Sequence, residues 1–249
     1  MTRALPAQPP PPPKNADERG THGARPYELW LPADPPPWPA MVILHGAGSQ
    51  KENHADFARI CNGRGWAALT FDQRGHGESE DVMAPEALGD VALMARLLAE
   101  NDSVDPARIC VRGSSMGGWM AIHAAATAPE LAGVIAICPA GEEHLAFGLR
   151  QGELEMRADA AALGAWLAEH DVREAAALMG PKPLIILHAR GDEQIPFSFS
   201  QEIEQHASEP KRLILLPGGH HRSIQHDTEL QTEALRWLER ALADRGQSR

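Results

Sequence analysis

A serine with glycine two residues to either side, Gly113-Ser114-Ser115-Met116-Gly117, stands between an apolar run and a stretch of helical period. A sharp strand-to-helix turn strains the backbone of such a serine, and side chains two residues away would collide, so both glycines answer a steric demand. Gly118 adds further room. The helix that follows aims its first amides and the positive end of its dipole at the turn. The chemistry implied is nucleophilic attack by Ser115.

A hydroxyl is a weak nucleophile at neutral pH and needs a base that is itself oriented by a carboxylate. Asp192, in Gly191-Asp192-Glu193-Gln194-Ile195-Pro196, follows an apolar run, and open α/β sheets place functional groups beyond the C-terminal ends of their strands. Glu193 competes with it, but Asp192 is the shorter carboxylate at the first loop position after Gly191, and Glu193 is expected to face solvent. Pro217-Gly218-Gly219-His220-His221 supplies two candidate bases, of which one can act. His220, His221, His226 and Asp227 also resemble a metal cluster, but no second cluster completes it, so no metal is expected. Acyl transfer needs amide donors for an oxyanion. Met116 offers one, and Ala47 in His45-Gly46-Ala47-Gly48 offers the other from a glycine-rich loop after an early strand. These glycines match neither a dinucleotide fingerprint nor a phosphate-binding loop with its lysine.

The elements that must position these groups alternate along the chain. Strands are expected at 27–31, 41–44, 66–71, 109–112, 133–137, 184–188 and 213–216, and helices near 55–64, 85–101, 116–127, 198–206 and 228–243. Short apolar runs alternating with amphipathic stretches predict a mostly parallel, doubly wound α/β sheet. The interval 141–181 carries no strand signal and is alanine-rich, which predicts a helical cap inserted between two strands. Pro6 and the run Pro9 to Pro13 precede a polar stretch, so residues 1–22 are expected to be a disordered tail and 23–249 a single domain.

Composition narrows the function. The 249 residues hold 34 acidic and 23 basic side chains, a formal charge of −11, which argues against tracking a nucleic-acid backbone. The start of the chain is proline-rich rather than a secretory core, and no apolar run approaches the ~18 residues of a membrane span. Cys61, Cys110 and Cys138 are too few and too dispersed for a disulfide framework, which points to reduced thiols and a cytoplasmic protein.

Taken together, His45-Gly46-Ala47-Gly48, Phe71-Asp72-Gln73-Arg74-Gly75-His76-Gly77-Glu78-Ser79, the Ser115 turn, Gly191-Asp192 before Ile195-Pro196, and Pro217 to His221 resemble the α/β-hydrolase superfamily. The similarity runs over about residues 27 to 243 in the order Ser, Asp, His. It implies an α/β-hydrolase fold and a serine esterase-like enzyme with Ser115, Asp192 and His221 as its triad, Ala47 and Met116 as its oxyanion donors, and no cofactor. The Pro-Gly-x-x-His pattern of such proteins maps the base onto His221, leaving His220 as the alternative. Asp72, Arg74 and His76 fall in a segment that usually braces a turn. The acidic net charge favours a neutral carboxylic ester of small to medium size as the substrate. Thioesterase, peptidase or amidase chemistry shares the same machinery, although no extra domain or amino-terminus site for a peptidase is visible. The cysteine nucleophile of dienelactone hydrolases is absent, and so is the aspartate of haloalkane and epoxide chemistry. A non-catalytic scaffold is the rival from another class, and its sign would be a lost nucleophile or base.

Overall fold

A computed structural model describes residues 14–247. Its eight strands are β1 (Glu18–His22), β2 (Arg25–Trp30), β3 (Trp38–Leu44), β4 (Ala67–Phe71), β5 (Val104–Ser114), β6 (Val134–Ile137), β7 (Leu184–Ala189) and β8 (Lys211–Leu216). They form one sheet in the order β1-β2-β4-β3-β5-β6-β7-β8. β1 and β2 run antiparallel to their neighbours, whereas β4, β3 and β5 through β8 pair in parallel. This is the mostly parallel, doubly wound sheet expected from the alternating pattern, in the α/β-hydrolase arrangement that the resemblance implies.

The helices are α1 (Ala55–Asn62), α2 (Ala87–Ala99), α3 (Met116–Thr127), α4 (Glu142–Gln151), α5 (Ala160–Leu167), α6 (Val172–Leu178), α7 (Phe197–His206) and α8 (Thr228–Gln247). Both faces of the central strands are covered, and the period of two in side-chain direction divides the core. Ala40, Val42 and Leu44 of β3 pack with Val91, Met94, Trp119 and Ile122 on the α2–α3 face. Met41 and Ile43 pack with Phe57, Leu235 and Leu238 on the α1–α8 face.

The expected tail is corrected in part. The proline run lies outside the described residues, but residues 18–22 are strand β1, paired with β2 from Glu18↔Leu29 to His22↔Arg25. Gly23 and Ala24 have φ of +54° and +61°, and two successive left-handed residues close a tight hairpin. Tyr27 donates its hydroxyl to Glu18, and Arg19 pairs with Glu28 at 2.7 Å. β5 begins earlier than its apolar run, because Trp38 pairs with Val104 ahead of a register shift that realigns Ala40 with Ile109.

Residues 141–181 contain three helices, α4, α5 and α6. The segment joins the loop after β4 through Met83 N→Arg157 O at 2.8 Å and Arg157 N→Gly75 O at 3.0 Å. Gly75 is required there: its φ is +77°, and a Cβ would lie 2.4 Å from the Arg157 carbonyl oxygen.

Candidate active site

Ser115 sits between β5 and α3 with φ +54° and ψ −120°, the strained turn that its glycines predict. A Cβ on Gly113 would come within 2.0 Å of the Gly117 carbonyl oxygen, and one on Gly117 within 2.5 Å of the His45 carbonyl oxygen. The turn is tied by Ser115 N→Ile137 O at 2.9 Å, and the Ser115 carbonyl accepts from Gly118 and Trp119 at 2.9 and 3.1 Å.

His221 is buried, and its Nδ1 lies 2.7 Å from Asp192 Oδ2. His220 is exposed and gives its amide to Ser223 Oγ, so the loop brings His221 and not its neighbour to Asp192. Glu193 is exposed and accepts the backbone N–H of His221 at 3.2 Å, which fixes the loop rather than the imidazole. The Asp192 side chain is fully buried. Burial pushes its carboxyl up, but hydrogen bonds from His188, His221 and the Ile195 amide outweigh that and hold it well below the usual carboxylate range. Oδ1 accepts the amides of Gln194 and Ile195, each at 2.9 Å.

His188 joins this group without a clear sequence signal. Its Nδ1 lies 2.7 Å from Ser200 Oγ, and its Nε2 lies 3.0 Å from Ile195 O and 3.3 Å from Asp192 Oδ2. A proton on Nε2 satisfies both oxygens, with Nδ1 accepting from the serine. A β-strand histidine reads as an ordinary core residue, so the only signal was its position four residues before Asp192. Cys138, one of the expected reduced thiols, is buried, has φ +42°, and lies close to Asp192 and His221. Burial pushes its thiol up, away from thiolate reactivity. The free thiols at Cys61, Cys110 and Cys138 are all buried.

The His45–Gly48 loop stands opposite the Ser115 turn, since a Cβ on Gly46 would lie 3.3 Å from Ser115 Cβ. The amides of Ala47 and Met116 have no hydrogen-bond acceptor among the described residues. His45 braces the loop: its Nδ1 lies 2.8 Å from Gly46 O, and its Nε2 accepts Gln73 N at 3.1 Å. Burial pulls its pKa down to about 3, so the ring is neutral. Asp72 accepts the Lys51 amide and ammonium at 2.9 and 2.8 Å, while Arg74 grips Asp90 at 2.7 and 3.2 Å and His76 contacts Arg74 O at 2.9 Å. Asp72 thus ties the segment to Lys51 and Arg74 ties it to α2, while His76 bonds within it.

A cavity of about 1290 Å³ opens over these loops, lined by Ala47, Ser115 and His221 and roofed by α4 and α5. Its rim carries Glu143, Glu153, Glu155 and Glu193 against Arg150 and Arg222. Glu142, at the start of α4, also lines it and is buried. Glu142 Oε1 accepts from Trp119 Nε1 at 2.6 Å and lies 3.4 Å from His123 Nε2, whereas Oε2 has no partner among the described residues. His226 and Asp227 do not join His221 as a metal cluster; His226 pairs instead with Asp56 at 2.8 Å.

Fold and site together define an α/β hydrolase. Residues 35–170 match the family described as "Serine aminopeptidase, S33", and the chain belongs to that family. It is 26% identical over 207 residues to the uncharacterized protein Rv2307c of Mycobacterium tuberculosis, covering 80% of this chain and 68% of that one. Among solved structures it resembles the α/β hydrolase GrgF from Penicillium sp. sh18, with TM-score 0.76 and 19% identity over 91% of this chain and 98% of that one. It also resembles Est1E from Butyrivibrio proteoclasticus, solved with ferulic acid, with TM-score 0.72 and 23% identity over 88% and 96% of the two chains. No helix among the described residues is long and apolar enough to cross a membrane.

Proposed function

We propose that this chain is a serine hydrolase that cleaves carboxylic esters through an acyl-enzyme. One observation carries the reading: a single cavity is lined by Ser115 on a strained turn, by the Ala47 loop, and by His221 with its Nδ1 already held by Asp192. With Nδ1 committed, Nε2 is the nitrogen left to take the Ser115 proton as Oγ attacks the ester carbon. The Ala47 and Met116 amides receive the developing oxyanion. His221 then protonates the departing alcohol and deprotonates water, and hydrolysis of the acyl-serine releases the acid. Asp192 stabilises the imidazolium in both halves.

The acidic rim disfavours anionic substrates, which supports a neutral ester. A second reading, cleavage of an amide beside a positively charged amine, is favoured by Glu142, a largely buried carboxylate in the cavity lining whose Oε2 has no hydrogen-bond partner among the described residues. Turnover of p-nitrophenyl esters from acetate to decanoate, set beside aminoacyl p-nitroanilides, separates the two. Ester turnover that Ser115→Ala abolishes supports the first reading, and anilide turnover alone supports the second.

A further inference from the structure

Arg112 lies in β5, three residues before Ser115, and is completely buried. A buried guanidinium normally sits against a carboxylate, because removing a charge from water costs several kcal/mol. Arg112 has no ion-pair partner within 4.0 Å among the described residues, and its Nε has no hydrogen bond. Burial pulls its pKa down to about 10, so the side chain remains charged at neutral pH. A cation kept in the core on these terms must be holding something.

Its donors reach three places. Nη2 donates to the carbonyl of Gln225 at 3.0 Å and approaches Gln231 Oε1 at 3.4 Å. Gln225 in turn donates its side-chain amide to the carbonyl of His221 at 3.2 Å. Nη1 meets His54 Nδ1 at 3.0 Å, so the proton of this buried ring is on Nε2, which lies 3.4 Å from Ser49 Oγ beside the His45–Gly48 loop. The His54 ring also stacks on His226 with centroids 5.7 Å apart, and His226 is tied from outside by Asp56. The guanidinium lies over the Phe57 ring at 5.4 Å, which keeps it in place from the α1 side.

The loop carrying His221 is therefore gripped at Gln225 directly and at His226 through His54, and both grips end on one side chain of the strand that carries Ser115. We propose that Arg112 is a positioning residue that sets His221, and with it the Ala47 loop, in register with Ser115. The inference rests on His221 being the base of the proposed hydrolase. A shift of about 1 Å between reacting groups costs about 100-fold in rate. Arg112 itself does not line the cavity and reaches its wall only through the backbone carbonyl of Gln225, so its loss acts mainly on kcat.

The test uses the full chain, a p-nitrophenyl ester, and a fluorophosphonate titration that counts competent sites, so that kcat is expressed per titrated site. Arg112→Lys keeps the charge but cannot reach His54 and Gln225 together, and Gln225→Ala removes only the last link to His221. Both are expected to lower kcat per site by about 10- to 100-fold, Arg112→Lys at unchanged KM, with the fluorophosphonate labelling rate falling in parallel. Val91→Ala, in the core on the opposite face, supplies a folded variant of reduced stability whose kcat per site is expected to match the parent. If Arg112→Lys and Gln225→Ala lose only the number of competent sites, with kcat per site unchanged, Arg112 is merely a core residue and the proposal falls. If Arg112→Lys does not fold, Gln225→Ala decides on the same criterion. His221→Ala separates the two claims: full activity there overturns the choice of base, whereas an inactive His221→Ala beside a fully active Gln225→Ala overturns the positioning role alone.

Discussion

Replacing Asp192 with asparagine keeps the shape of the side chain and exchanges one acceptor for a donor, and the structure dictates which one. Oδ1 accepts two backbone amides, from Gln194 and Ile195, each at 2.9 Å. Turning the new NH2 toward them would forfeit two short hydrogen bonds and set a donor against two donors, whereas at the Oδ2 position it gives up only the 3.3 Å approach of His188, whose Nε2 proton keeps Ile195 O at 3.0 Å. The amide nitrogen therefore takes the Oδ2 position, facing His221 Nδ1 at 2.7 Å. His221 must then accept at Nδ1 and carry its proton on Nε2, the nitrogen that should receive the proton of Ser115. The base is present in the wrong tautomer, and the stabilisation of the imidazolium is lost as well. Such a change costs about 10⁴ in kcat, equivalent to about 5 kcal/mol of transition-state stabilisation. The assay is kcat and KM on a short p-nitrophenyl ester, with near-UV circular dichroism to show that the fold persists. Glu193→Gln is the matched control: among the described residues the exposed Glu193 side chain hydrogen-bonds the backbone amide of His221 and not its ring, a bond the amide oxygen of glutamine can also accept, so kcat should stay within a few-fold of the parent. A folded Asp192→Asn that retains more than about a tenth of kcat would refute the tautomer argument.

Other perturbations follow from the same geometry. His45 and His54 are buried neutral, with pKa values depressed from an unfolded value of about 6.5. The unfolded chain binds the extra protons, so the stability these rings contribute is complete above about pH 6.5 and is lost as pH falls toward their folded values. Each ring adds a slope of up to about 1.4 kcal/mol per pH unit, and chemical denaturation at pH 7.5 and 5.0 should show the midpoint falling. Gly113→Ala places a Cβ 2.0 Å from the Gly117 carbonyl oxygen and should abolish soluble expression or activity, whereas Gly152→Ala meets open space and should cost only about 1 kcal/mol for its φ of +68°. Removing residues through His22 uncovers the edge of β2, so its unfolding midpoint in urea should lie below that of a chain lacking residues 1–13.

What could be read from the chain alone was what depends on local constraint. The Ser115 turn was legible because its steric demand falls on residues two positions away. Asp192 and His221 were legible because each follows an apolar run in the order Ser, Asp, His, although the choice over His220 rested on resemblance until the loop was seen to bury one ring and expose the other. Strand β1 was missed because Glu-Arg-Gly-Thr-His is polar and shows no apolar alternation; it pairs at the sheet edge, where one neighbour and a Gly-Ala turn suffice. His188, Glu142 and Arg112 were invisible for a different reason. Their meaning depends on partners far off in the chain, such as Gln225 for Arg112 and Trp119 for Glu142, and no sequence spacing encodes those contacts. A buried arginine in a strand reads from sequence as an interruption of an apolar run, and only its partners reveal what it holds.

The central claim is that Ser115 is an activated nucleophile. Intact-mass analysis after fluorophosphonate treatment, followed by peptide mapping, tests it most directly. The account predicts one adduct per chain, located on Ser115, absent from Ser115→Ala and formed far more slowly in His221→Ala. An unlabelled parent protein, or an adduct at another residue that persists in Ser115→Ala, would contradict it.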